Sequence, residues 1–310
     1  VWGYDINAEP PQITEDFARG VAHSLIGDDT VPVEIVSMSL WTVNHMYADR
    51  YSSRRVFCMG DAVHRHPPSN GLGSNTSIQD AFNLAWKLAL VLRGQAAPSL
   101  LETFTQERAP IGKQIVDRAN QSIGEFGPIF ESLGLLETSD PLAMVANMDA
   151  RKQDTAEGSR RRKALREAIA FKRYEFDAHG VEMNQHYQSQ AVVAGDATPS
   201  NFSEDRELIY HATTVPGARL PHAWIERDGK SVSTLDVTGQ GQFTLITGIG
   251  GDAWKGAVEA VRERFGVDVR VVGIGPDLDW EDHFGDWARA RDIEDNGAIV
   301  VRPDHFVAWR

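Results

Sequence analysis

One cysteine, Cys58, stands in 310 residues. That excludes an intramolecular disulfide, a Cys-x-x-Cys redox pair and a cysteine-rich zinc site. It also fits a reducing, cytoplasmic setting. Positive charge is scarce. Lys and Arg number 31 against 44 Asp and Glu, a net charge of −13, which argues against a nucleic-acid partner and against docking on anionic lipid. Long apolar runs are missing too: the longest, residues 82–92, is broken by Lys87 and is too short for a membrane span. No signal peptide, no G-x-S-x-G nucleophile elbow, no internal repeat and no low-complexity tract occurs.

What is present is ordinary for a globular chain: 42% hydrophobic and 24% charged residues. The length suffices for two domains. "TEDFARGVAHSLIG" reads as a helix with a Thr14 cap and a Gly27 stop. "VPVEIVSMSLWTVNHMYADRY" alternates as strands do, led by Val33, Ile35 and Val36 and continued from Leu40 to Met46. Residues 56–59 predict a short strand buried on both faces. A helix follows from near Thr76 to Gly94, with Thr76 and Gln79 as a capping box. Its apolar repeat is Ile78, Ala81, Phe82, Ala85, Leu88, Ala89 and Leu92. A second helical region is interrupted at Pro110. Residues 139–176 are charged and helical, and Leu165, Ala168, Ile169 and Phe171 mark the packed side of a solvated basic helix. "QAVVAGDATPSNFSED" is turn-rich and reads as an inter-domain connection. Beyond it, "GQFTLITG", a helix from Asp252 to Phe265 and "VDVRVVGIG" make a βαβ unit, and the chain closes as a hairpin turning at Pro303-Asp304.

The most specific stretch is "MGDAVHRHPPSNGLGSNTSIQDAFNLAWKLA", residues 59–89. Asp61 stands at the carboxyl end of a strand, where ligands of open α/β sheets bind, and its carboxylate accepts hydrogen bonds from hydroxyls. The prolines stiffen the loop. Gly71 and Gly73 allow positive φ and close approach of a flat ligand. The following helix aims free N–H groups at the loop, which favours a negative or carbonyl-rich ligand edge.

With these residues in place, the stretch resembles the second flavin-binding motif of single-component FAD-dependent aromatic hydroxylases, the p-hydroxybenzoate-hydroxylase-like group. The shared pattern is an apolar strand, Gly-Asp-Ala-x-His, a proline pair, Gly-x-Gly-x-Asn, then Asp-x-x-Asn-Leu-x-Trp-Lys-Leu. Within that group it is most similar to the 2,4-dichlorophenol 6-monooxygenase branch of the phenol hydroxylases, and the likeness runs in order to the terminal "VRPDHFVAWR".

The resemblance implies an α/β fold: residues 1–51 as the end of a substrate-binding domain, 52–185 as the C-terminal part of a glutathione-reductase-like Rossmann FAD domain, and 186–310 as a thioredoxin-like domain. It implies FAD as cofactor, with Gly60 and Asp61 at the ribityl chain and Pro68 beside the isoalloxazine. Gly73, Ser74 and Asn75 would present backbone to the pyrimidine end of the ring, with Gly71 also among the cofactor-binding residues. NAD(P)H would reduce the flavin, O2 would give a flavin C4a-hydroperoxide, and a phenol would leave as a catechol.

The family's G-x-G-x-x-G turn for the pyrophosphate is not in the sequence. "GIGGD" at residues 248–252 has the wrong spacing. With Val1 an unnatural start, the chain reads as the C-terminal part of a longer monooxygenase, its partners being the remaining N-terminal part, a phenolic substrate, O2 and a possible second copy. Where many relatives have an arginine the sequence has Met46, so that role is not carried over; Asn44 and His45 are candidates nearby. The alternatives are an isolated interaction or dimerisation module and a metal hydrolase built on Asp61, His64 and His66; against the metal reading, His64 reads as a structural histidine that braces the loop.

Overall fold

The computed structural model describes residue 9 and residues 12–195 and 203–310. Part of the turn-rich connection, residues 196–202, therefore lies outside the described residues. By its internal contacts the chain divides into two units, residues 1–43 and 44–310.

In the first unit, α1 spans Glu15–Ile26. Thr14 Oγ1 caps it by accepting the Phe17 N–H at 3.2 Å, and Gly27, at φ +77°, ends it. The alternating segment that follows is not a strand. His23 Nε2 lies 3.0 Å from the Val31 carbonyl, and Arg19 Nε reaches that of Val33 at 3.4 Å. Val36 is 89% exposed. Alternation alone does not make a strand; a ladder partner is required, and only Met46–Tyr47 of this stretch finds one.

That short strand, β1 (Met46–Tyr47), opens the second unit. A tight hairpin follows, β2 (Ser52–Ser53) and β3 (Val56–Phe57), and then β4 (His64–Arg65), which pairs antiparallel with β1. Against expectation, β3 is not buried on both faces. Its one ladder neighbour among the described residues is β2, and Val56 is 63% exposed.

Two long helices come next, α2 (Leu72–Leu92) and α3 (Glu102–Gly124). The α3 helix runs through Pro110 without a break. Proline removes the N–H that would bond the Gln106 carbonyl, but Gln106 faces solvent and its carbonyl can be hydrated. Short helices continue: α4 (Gly127–Ser132), α5 (Pro141–Ala150), α6 (Ala156–Phe171), α7 (Arg173–Phe176) and α8 (His179–Met183). In α6 only part of the expected packed side is covered. Ala168 is buried, but Ile169 and Phe171 are exposed, and the buried space goes to Arg161, which pairs with Glu137 and Glu157.

The rest is an α/β domain. After the hairpin β5 (Trp224–Arg227) and β6 (Lys230–Ser233), β7 (Phe243–Thr247) and β8 (Val269–Gly273) lie parallel, joined through α9 (Ala253–Phe265). A short α10 (Asp286–Ala290) precedes the closing hairpin of β9 (Ala298–Val301) and β10 (Val307–Trp309). The sheet order β10-β9-β7-β8, with β9 antiparallel to β7, is the thioredoxin-like arrangement. Ile246, Val272, Ile299 and Val307 form its core with Trp287.

The burial of α2 is the reverse of what its apolar repeat predicts. Ile78 is 66% and Leu92 83% exposed, while Thr76, Asp80, Asn83 and Lys87 are buried with Leu84 and Trp86. The buried polar face meets Glu107 of α3 and the turn of the closing hairpin. Glu107 accepts from Lys87 Nζ (2.7 Å), Asn83 Nδ2 (2.7 Å) and both terminal nitrogens of Arg302 (2.6 and 2.8 Å). Asp304 accepts from Arg302 (2.6 Å) and the Trp86 indole (3.1 Å). Burial opposes ionisation of Glu107, but the hydrogen bonds and charge of Arg302, then Lys87, outweigh it and hold the carboxyl down at about 2 from an ordinary 4.5.

Two outcomes follow. Arg302→Met leaves Glu107 and Asp304 buried without their main partner and lowers stability by about 3–5 kcal/mol, read from urea denaturation midpoints. Because the folded pKa of Glu107 is depressed, its contribution is fully present above pH 4.5 and is lost as pH falls from there towards 2. Glu107→Gln flattens that part of the stability–pH curve.

Candidate functional site

The loop between β3 and α2 is shaped residue by residue. Gly60 sits at φ +60°, and a Cβ there would lie 2.8 Å from Ser77 Oγ, so both conformation and space require glycine. A single tight turn, residues 60–62, leaves Asp61 exposed at its crest. Pro67 is buried and Pro68 exposed. Asn70, at φ +64°, donates through Nδ2 to the Tyr174 carbonyl at 2.7 Å, and Ser69 Oγ donates to the Ala119 carbonyl at 2.7 Å. The loop is thus tacked to α3 and α7 from behind while Asp61, Pro68, Gly71, Ser74 and Asn75 face outward.

The helix starts at Leu72, not near Thr76, with left-handed Gly71 (φ +63°) as its N-cap. Thr76 is buried in the second turn and forms no capping box. No side chain among the described residues caps α2, so the N–H groups of its first turn remain available beside the exposed loop. Asn75 turns its amide back to the Gly71 carbonyl (2.9 Å), which fixes the turn. Gly73 is the informative position. Its backbone is helical, and an added Cβ would meet only the His66 ring, at an ordinary 3.7 Å. Neither conformation nor packing in this chain demands glycine there, and glycine costs a helix about 1 kcal/mol relative to alanine. The first turn therefore leaves room for a flat group close against it, and these features fit the ribityl and ring portion of a flavin.

Sequence reasoning found one brace of the loop, His64, and missed the carboxylate that it braces against. Asp80, fully buried one turn into α2 from Thr76, accepts from the Gly60 N–H (3.1 Å), His64 Nε2 (2.9 Å) and Arg108 Nε (2.7 Å). Burial works against its ionisation, yet the His64 hydrogen bond and the Arg108 charge prevail and keep the carboxyl below its ordinary range. Arg108 also donates to Gln185 Oε1 (3.1 Å) and Tyr187 Oη (2.9 Å), and Tyr187 stacks on Phe306. The available signal was Asp80, Asn83 and Lys87 recurring at helical spacing.

His64 is therefore a brace. Among the described residues no three His, Cys, Asp or Glu side chains are grouped as metal ligands would be. His45 pairs on the surface with Asp117 (2.8 Å), and the Asn44 carbonyl accepts from Asn120 (3.3 Å). Cys58 is half-buried against the Tyr51, Val63, Leu84 and Phe104 cluster. Asp80→Ala leaves the buried Arg108 charge without its carboxylate and the Gly60 N–H without its acceptor; the expected result is a loss of about 3–5 kcal/mol in thermal or urea unfolding, with faster amide exchange at residues 60–66.

Two families match in sequence order: FAD binding domain over residues 1–119 and aromatic-ring hydroxylase, C-terminal, over residues 213–310. The 2,4-dichlorophenol 6-monooxygenases of Delftia acidovorans and Cupriavidus pinatubonensis are 53% and 55% identical over the whole chain, which covers 53% and 52% of their lengths. Phenol 2-monooxygenase of a Pseudomonas species is 48% identical, with 51% of its length covered. Among solved structures, the flavin-dependent monooxygenase PieE in complex with FAD and substrate superposes with a TM-score of 0.94 at 45% identity, covering 99% of this chain and 53% of PieE. Aklavinone-11 hydroxylase with FAD and aklavinone gives 0.72 at 28% identity, covering 99% and 50%. The chain spans about half the length of the curated relatives it matches, and it belongs to the FAD-dependent aromatic-ring hydroxylases.

Proposed function

We propose that this chain supplies the ribityl- and ring-facing half of the FAD site in a flavin-dependent phenol hydroxylase. The observation that carries this reading is Gly73, a glycine the chain itself does not require, beside an uncapped helix start and an outward-facing Asp61. Asp61 accepts hydrogen bonds from ribityl hydroxyls, with Gly60 fixing the turn beneath it. Pro68 flanks the ring with its carbonyl toward the reacting edge. Gly71, Gly73, Ser74 and Asn75 present backbone to the pyrimidine end, where the helix start favours negative charge. FAD, when bound, supplies the redox chemistry by which NAD(P)H and O2 yield a catechol from a phenol, with water as the second product.

The substrate class is a phenol, and a chlorophenol is favoured by the likeness to dichlorophenol monooxygenases. The proposed division is substrate-domain end (1–51), FAD domain (52–185) and thioredoxin-like domain (186–310). Without a Cys-x-x-Cys pair the last serves packing, including packing between two copies. Val56, Met59 and Leu92, all exposed, suit contact with the remainder of a longer protein that carries the pyrophosphate turn. No helix among the described residues is long and apolar enough to cross a membrane, and one cysteine suits the cytoplasm.

Two substitutions test the site in the protein that carries this chain. Asp61→Ala lowers the FAD retained per protein, measured by flavin absorbance after gel filtration; unchanged flavin content removes Asp61 from the site. Gly73→Ala leaves thermal stability equal or raised by up to about 1 kcal/mol, yet weakens FAD binding by at least about tenfold, or ~1.4 kcal/mol. Retention of full affinity by Gly73→Ala contradicts the role given to that glycine.

A further inference from the structure

A cavity of about 210 Å³ lies where α2, α8 and the turn of the closing hairpin meet, away from the loop of residues 60–75. Its apolar walls include Ile78, Phe82 and Phe306. Phe306 is itself backed by the stacked Tyr187 ring, at a centroid distance of 3.9 Å.

Arg219 also lines this cavity. Its backbone is held by a bridge to Phe306. Its Nε is buried without a hydrogen-bond partner, and its guanidinium enters no ion pair among the described residues. The nearest carboxylate of the hairpin turn, Asp304, is already engaged by Arg302 and Trp86. A buried guanidinium N–H with no acceptor is unfavourable, and a water, an ion or a ligand in the cavity would complete it.

We infer that this cavity binds a small organic monocarboxylate with a flat apolar body, Arg219 pairing with the carboxylate and Phe82 and Phe306 flanking the rest. A guanidinium matches a carboxylate in shape as well as charge. A single negative charge is indicated because Glu182, an exposed carboxylate, lines the same cavity and repels a second one. One ring is the size that fits, since a cavity of roughly 150 Å³ admits benzene.

The neighbouring His305 reports on the site. Burial, and then the charge of Arg219, hold its imidazole below the ordinary pKa; Asp304 and Asp236 pull the other way. An anion on Arg219 offsets the cation and raises the His305 pKa. By linkage the anion binds more tightly as pH falls through that pKa.

This inference is independent of the flavin reading, because binding is measured directly and needs no cofactor. Benzoate, its neutral isostere benzamide and inorganic phosphate are each titrated calorimetrically, and His305 is followed by NMR. Benzoate is expected to bind, benzamide and phosphate each at least about tenfold more weakly, with the His305 pKa rising at benzoate saturation. Arg219→Met abolishes benzoate binding and Arg219→Lys keeps part of it. Equal binding of benzamide overturns the role of the charge, and equal binding of phosphate overturns that of the apolar walls. No benzoate binding, or undiminished binding to Arg219→Met, overturns the site. The three-ligand comparison on the unmodified protein decides the matter even where Arg219→Met does not fold.

Discussion

Two consecutive residues of opposite charge, Glu107 and Arg108, are fully buried in α3, and the second unit is organised around keeping both compensated. Glu107 gathers Lys87 and Asn83 from α2 and Arg302 from the hairpin turn. Arg108 gathers Asp80 from α2 and Tyr187 from the segment that leads to the α/β domain. Removing either charge strands several others in low dielectric, which is why buried ionic networks fix one arrangement more than they add net stability. The thioredoxin-like sheet is fastened to the long helices through these side chains, with Tyr187 and Phe306 stacked beside them.

The same constraint sets the loop. Asp80 is shared between Arg108 below and the Gly60 N–H and His64 above, so the turn that exposes Asp61 is held by a carboxylate that is itself held by α3. Asn70 and Ser69 add ties to α7 and α3. Every such contact lies on the inner side of the loop. The outer side therefore keeps the Asp61 carboxylate and the uncapped helix start exposed, while the ties that hold the loop lie behind it.

Much of this was legible in the residues, and the failures have physical causes. The Thr14 cap, the Gly27 stop, the βαβ unit and the terminal hairpin all depend on local chemistry, and each falls where the sequence places it. Part of the loop's conformation was legible because glycine acts through the backbone: Gly71 takes a positive φ as expected, whereas Gly73 lies inside the helix. Misread were elements whose state depends on a distant partner. Residues 33–45 alternate but lack a ladder, and β3 lacks a second neighbour. The start of α2 was placed four residues late because Thr76 resembles a cap, whereas Gly71 takes that position by its left-handed backbone. Burial of α2 was inverted because hydrophobic periodicity assumes an apolar core, and here the covering surface is charged.

That inversion bears on how the flavin motif is understood. Asp80, Asn83, Trp86 and Lys87 belong to the same stretch as the loop glycines, yet Asn83, Trp86 and Lys87 turn into the network with α3 and the closing hairpin, and Asp80 ties the inner side of the loop to Arg108 of α3. The stretch therefore does two separate jobs along its length. Its first half, from Gly60 to Asn75, presents backbone and a carboxylate to the outside. Its second half anchors that presentation to a charge network built from parts of the chain more than 200 residues away, as in the Asn83–Asp304 contact. A substitution in the second half acts on the loop only through its position, whereas one at Gly73 changes the first turn of α2 itself. The chemistry proposed for the loop and the stability of the fold are thus carried by different residues of one motif.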